Sequence, residues 1–397
     1  MMIDRQVIDR QVIDRRTLLG GTLAGAAALF APRIAFAAAP TDKRFVFIIQ
    51  RGAADGLGTV VPVGDPAFAG QRGVLADVAQ GGLTLDSTFT LHPALADIGT
   101  LYGERQALFA HAIASPYRER SHFDGQNVLE SGGNAPYAVR DGWLNRLLSL
   151  LPASDARAMA IAAAIPLALR GSRDVASYAP SNLPQASDDL LQRVSMLYQD
   201  DAQLHGLWDQ ALATRTLTGD LAADNGRNAA ATGQLCARLI APADGARIAM
   251  IETGGWDTHA GQKPRLAAQL RGLDAMIGAI RTGMGPDWGN TMVLVATEFG
   301  RTVAVNGTGG TDHGTASCAM LLGGAVNGGR VIADWPGLAT ASLHEGRDLR
   351  PTADLDSFIA SAVAEHFMLD PVRARQVLFP QSQGGRVVGG LVAGTVR

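Results

Sequence analysis

Six short runs of this chain are apolar almost from end to end: RFVFIIQ (44–50), ALFAHAI (107–113), AMAIAAAI (158–165), ARIAMIET (246–253), NTMVLVAT (290–297) and SCAMLLGG (317–324). A strand with one wet face alternates apolar and polar residues. A strand apolar throughout is buried on both faces. Helical spacing fills the intervals, in HPALADIGTLYGER (92–105), in a segment opening at Ser121, in DGWLNRLLSLL (141–151), in KPRLAAQLRGLDAMIGAIRTGM (263–284) and in DLDSFIASAVAEHFML (354–369). Buried strands alternating with helices predict an α/β fold with a largely parallel central sheet and helices on both faces. The stretch from about 185 to 242 is helical with few strand signals and reads as an insertion. No linker divides the chain, so residues 38–397 are expected to form one domain.

The first 37 residues read differently. IDRQV at 3–7 recurs at 8–12, too short a unit for a structural repeat. Paired Arg15 and Arg16 then precede a moderately apolar stretch, 18–30, and a small-residue exit at Ala35-Phe36-Ala37. This is the pattern of a cleaved twin-arginine signal. The apolar stretch is too short and glycine-rich to span a bilayer comfortably. The expectation is a periplasmic or secreted protein without a stable membrane span, which meets the twin-arginine translocase during export. That route carries folded proteins, often with a metal already in place.

The net charge is −3, so no general basic surface for nucleic acid is expected. Cys236 and Cys318 fit no zinc, haem or redox spacing. No G-x-G-x-x-G follows a strand, and no G-x-S-x-G elbow is present.

Chemistry gathers after the apolar runs. Asp55 follows the first. Ser115, Arg120, Ser121, His122 and Asp124 follow the second. Asp257 and His259 follow the fourth, in GGWDTHAGQ, and Glu298 and Arg301 the fifth. Asp312 and His313 stand in GGTDHGTAS. In open α/β sheets ligands bind beyond the carboxyl ends of the strands, so residues distant in sequence converge there. Carboxylates with imidazoles suit a divalent cation such as zinc, manganese, magnesium or calcium, one ion or two. The set drawn from the sequence is Asp55, Asp257, His259, Glu298, Asp312 and His313. Ser121, at a helix N-terminus, is the candidate nucleophile, with Ser115 second. Arg120 and Arg301 are candidates to hold the oxygens of an anionic substrate.

Seven segments carry a family resemblance: RGAADGLGTVVPVGDPAF, LHPAL, SPYRERSHFDGQNVLESG, GGWDTHAGQ, TEFGRT, GGTDHGTASCAMLLGG and GRDLRPTADL. Together they resemble the bacterial domain-of-unknown-function family numbered 1501, whose members commonly carry twin-arginine signals. That family looks like a distant branch of the alkaline phosphatase and sulfatase superfamily of metal-dependent hydrolases. The resemblance implies Asp55 as the first-strand ligand, Ser121 as nucleophile, Asp257 with His259 as a ligand pair and His313 as a late ligand. Where that superfamily has adjacent Asp and His before Gly, this chain reads Glu298-Phe299-Gly300, without the histidine. SPYRER does not meet the sulfatase signature. The implied function is an exported metal-dependent hydrolase of small or polymeric phosphate or sulfate esters. The alternative is a non-catalytic periplasmic or cell-surface factor that binds a metal or an anion on the same fold.

Overall fold

In a computed structural model, residues 42–394 are described apart from 156, 180–187, 200, 202–203, 207, 210–211, 213–227 and 383–384. The expected signal, 1–37, lies outside the described residues, as does part of the expected insertion. The strands are β1 (Arg44–Gln50), β2 (Val60–Val61), β3 (Leu83–Thr84), β4 (Thr90–Leu91), β5 (Ala107–Ala114), β6 (Ala158–Ile161), β7 (Ala176–Ser177), β8 (Ile248–Thr253), β9 (Thr291–Ala296), β10 (Ser317–Leu322), β11 (Arg330–Ile332) and β12 (Ala353–Asp354). Nine form the main sheet, in the order β11-β5-β10-β9-β1-β8-β6-β7 with β12 also on β5. β2, β4 and β3 form a small second sheet.

β1 lies at the centre, parallel to β8 and β9. Its alternate side chains enter two separate cores. Phe45, Phe47 and Ile49 pack on one face with the helices Trp143–Leu148, Leu355–Phe367 and Pro371–Leu378. Val46 and Ile48 pack on the other, with Ala96–Gly103, Ala229–Ile240 and Gln262–Met284. Phe47 meets the Trp143 ring edge-on at 5.2 Å. Each fully buried aromatic contributes roughly 2–3 kcal/mol by burial. The expected α/β fold, with helices on both faces of a largely parallel sheet, is what the chain adopts.

The exception to parallel pairing is β10, antiparallel to both β5 and β9. The connection from β9, residues 297–316, contains no helix to carry the chain back across the sheet. The chain therefore re-enters at the edge where β9 ended. This places the start of β10 beside the carboxyl ends of β1, β5, β8 and β9, and keeps residues 297–316 along that edge. Of the expected insertion, Asp188–Tyr198 and Ala229–Ile240 are helical among the described residues. Ala229–Ile240 is part of the layer covering the sheet, with Leu235, Cys236 and Ile240 in the core. Among the described residues no helix is long and apolar enough to cross a membrane.

Candidate metal centre

The GGWDTH loop after β8 is held from within. Trp256 is 1% exposed and its indole N–H donates to Thr253 Oγ1 at 3.0 Å. Gly255 supplies a φ of +86°, and a Cβ there would lie 2.3 Å from Gln269 Nε2. Those constraints explain a glycine beside Asp257 and turn that carboxylate outward over the sheet edge.

Three histidines converge on Asp257, each backed by an acceptor. His122, the first residue of the helix His122–Ser131, has Nδ1 2.8 Å from Glu298 Oε1. His259 has Nδ1 3.0 Å from Asp312 Oδ1. His313 has Nδ1 2.9 Å from the Arg120 carbonyl. A carbonyl or an ionised carboxylate only accepts, so Nδ1 is the donor in all three. In the neutral imidazoles the Nε2 lone pairs then face inward. His259 Nε2 and His313 Nε2 are 3.0 Å apart, and Asp257 Oδ1 lies 3.0 Å from the first and 3.3 Å from the second. His122 Nε2 is buried without a hydrogen-bond partner, 3.5 Å from Asp257 Oδ2.

Acceptors packed this closely repel one another unless positive charge sits among them. Ligands of a tetrahedral zinc stand about 3.3 Å apart, given Zn–N distances of 2.0–2.1 Å. The spacing therefore fits a divalent cation. His122, Asp257 and His313 each offer a ligand atom within 4.8 Å of the others. Imidazole ligands whose second nitrogen donates to a carboxylate or carbonyl are the usual construction of a metal site.

The electrostatics agree with that geometry. The hydrogen bond to Glu298 raises His122 above the ordinary histidine value, against burial, so a proton and a cation compete for its Nε2. Burial would raise Glu298, but bonds from His122, its own backbone, Gln126 and Gly52 hold it below the ordinary value. Burial would likewise raise Asp257, and Arg301, His259 and His122 hold it below. The bond from Asn306, then that from His259, lowers Asp312. Burial lowers His313 and keeps its imidazole available as a neutral ligand.

The remaining residues singled out from the sequence take other places. Glu298 is fully buried behind His122, accepting also from Gly52 N at 2.8 Å, Gln126 Nε2 at 3.1 Å and Thr297 Oγ1 at 3.0 Å. Asp312 orients His259. Asp55 is buried against Arg72 and Gln262, outside the histidine cluster. Arg301, with its side chain fully buried, places Nη1 2.5 Å from Asp257 Oδ1, so it orients and neutralises that carboxylate. Arg120 turns its guanidinium to Asp348, at 2.7 Å, and Glu345, at 2.5 Å. Ser121 occupies the N-cap position of His122–Ser131, but its side chain makes no capping bond. Ser115 is buried, with Oγ 3.5 Å from the Glu298 carbonyl. His122 is the residue that the ligand set drawn from sequence lacks. Its signal was its place directly after Ser121, at a helix start beyond a strand.

Fold and site together define an α/β protein with a candidate divalent-metal centre at the carboxyl edge of its sheet. The chain belongs to the family described as protein of unknown function (DUF1501), which matches residues 107–378. No curated protein matches the sequence. Among solved structures it is similar to the C-terminal periplasmic domain of EcEptC from Escherichia coli, solved in complex with Zn. That match has 8% identity over 89% of this chain and 93% of the other, with a TM-score of 0.38. It is also similar to a mutant TAB5 alkaline phosphatase with Mg bound, with 11% identity over 70% of this chain and 65% of the other and a TM-score of 0.20.

Proposed function

We propose that the chain is a metal-dependent hydrolase of phosphate or sulfate esters, with His122, His259, His313 and Asp257 as metal ligands and Ser121 as nucleophile. The observation that carries this reading is the convergence of three Nε2 atoms on one carboxylate, each imidazole fixed by an acceptor on Nδ1. A divalent cation bound there supplies Lewis acidity toward an ester oxygen. Glu298, Asp312 and the Arg120 carbonyl keep the three rings in their ligating tautomer, and Arg301 keeps Asp257 aimed. Ser121 stands one residue before His122 with a hydroxyl not spent on capping, where the helix end favours an anion. Its Oγ bonds to phosphorus or sulfur as the alcohol departs. Water then cleaves that bond and restores the hydroxyl. Export by the twin-arginine route, read from residues 1–37, would place this chemistry in the periplasm or outside the cell.

The test is turnover of 4-nitrophenyl esters by the purified, metal-loaded protein. Ser121→Ala is expected to lose at least a hundredfold in kcat while retaining its ion. Unchanged turnover in that variant would remove Ser121 from the role. A loaded protein inert toward every ester would favour the non-catalytic metal-binding alternative.

A further inference from the structure

Ser121 is held by its backbone, since its side chain makes no capping bond. It is extended at the helix start, with φ −92° and ψ 123°, and Arg120 before it has a left-handed φ of +62°. A non-glycine residue stays in that region only where its surroundings hold it. Arg120 is held at both ends. Its carbonyl accepts from His313 Nδ1 at 2.9 Å, and its guanidinium pairs with Asp348 and Glu345. The amide of Ser121 has no partner within the helix and donates to the Tyr117 hydroxyl at 3.1 Å. In a capping box the residue three further on, here Asp124, would accept that bond.

Tyr117 is itself fixed through ring and backbone. It is 4% exposed and packs among Ala53, Val128 and Phe299. The helix admits its ring at Gly125, where a Cβ would stand 3.2 Å from Tyr117 Cδ1 and 2.9 Å from Phe299 Cδ1. The Tyr117 amide donates to Ser115 Oγ at 3.4 Å. Arg118 Nη1 donates to the Tyr117 carbonyl at 2.7 Å and to the Ser115 carbonyl. We infer that Tyr117 is a positioning residue for the ester hydrolysis proposed above: its hydroxyl fixes the Ser121 backbone and so aims the nucleophile. This rests on the hydrolase reading and adds a residue to it. Tyr117 is buried too deeply to meet the ester, so it acts through Ser121.

Tyr117→Phe removes the hydroxyl and keeps the ring. The metal-loaded full chain is assayed with 4-nitrophenyl phosphate, 4-nitrophenyl sulfate and bis(4-nitrophenyl) phosphate. A nucleophile misplaced by about 1 Å loses on the order of a hundredfold in rate. With Arg120 still held, the variant is expected to lose about tenfold in kcat. KM, bound metal per chain and melting temperature are expected to match the parent. A residue that merely supports the fold would slow turnover in any background, so the deciding comparison is a double-mutant cycle. In the Ser121→Ala background, Tyr117→Phe is expected to cause no further loss, because the group it positions is gone. A further tenfold loss there, an unchanged kcat in the single variant, or loss of the bound ion would each overturn the inference and leave the hydrolase reading standing. Turnover that survives Ser121→Ala would overturn it together with the nucleophile assignment. A parent inert toward all three esters would overturn the hydrolase reading and this role with it.

Discussion

Each of the three histidines depends on the acceptor behind it. Glu298 matters most in this respect, because it is fully buried and bonds directly to His122 Nδ1. Glu298→Gln keeps the shape but replaces the charged acceptor with a neutral amide. Metal affinity is expected to fall about 10- to 100-fold, as measured by competition with a calibrated chelator. An unchanged affinity would mean that His122 is not a ligand. At this scale the sequence was partly legible. Asp257, His259 and His313 stand out because glycines and strand ends frame them. The difference between a ligand and its support was not legible. Glu298 and Asp312 have the composition of ligands, and only side-chain direction shows that they orient imidazoles. Asp55 looked like a first-strand ligand, but its partner Arg72 comes from a short helix 17 residues further on.

The loops closing β1, β8 and β9 act on the centre as a unit. Gly52, just past β1, has a φ of +118°, and a Cβ there would lie 2.6 Å from the Asp257 amide. Its N–H also binds Glu298. Gly52→Ala therefore strains the backbone and pushes the Asp257 loop away from the histidines. The expected result is a loss of about 1–3 kcal/mol in stability together with at least tenfold weaker metal binding. Denaturant melts and metal titration measure the two effects, and native-like values in both would contradict the packing described. The strands and their burial were readable because six runs are apolar on both faces. The reversed direction of β10 was not, since nothing local in SCAMLLGG encodes it. Direction follows from the missing helix between β9 and β10, and that reversal brings Asp312 and His313 to the site.

Outside the centre, the buried imidazoles of His111 and His366 serve the fold. His366 is fully buried, and its Nε2 lies 2.8 Å from the Arg44 carbonyl. Burial lowers its pKa to about 3, and burial lowers fully buried His111 to about 4. A histidine depressed on folding contributes stability that is intact above its unfolded value near 6.5 and is lost as pH falls below it, because the unfolded chain then binds the extra proton. His366→Gln removes one such group while retaining an amide donor for Arg44. The variant is expected to be less stable than the parent at pH 7.5, yet to lose about 1.4 kcal/mol less between pH 7.5 and 5.5. Parallel stability curves would show that His366 is not buried in its neutral form.

The centre itself is tested most directly by counting metal. The purified chain is stripped with chelator and dialysed against Zn²⁺ or Mn²⁺, and bound metal is quantified alongside Asp257→Ala and His122→Ala. The geometry predicts one ion per chain in the parent and loss of that ion, with the fold retained, in both variants. A parent chain that takes up no ion, or variants that retain it, would contradict a metal centre built on Asp257 and the three inward-facing histidines.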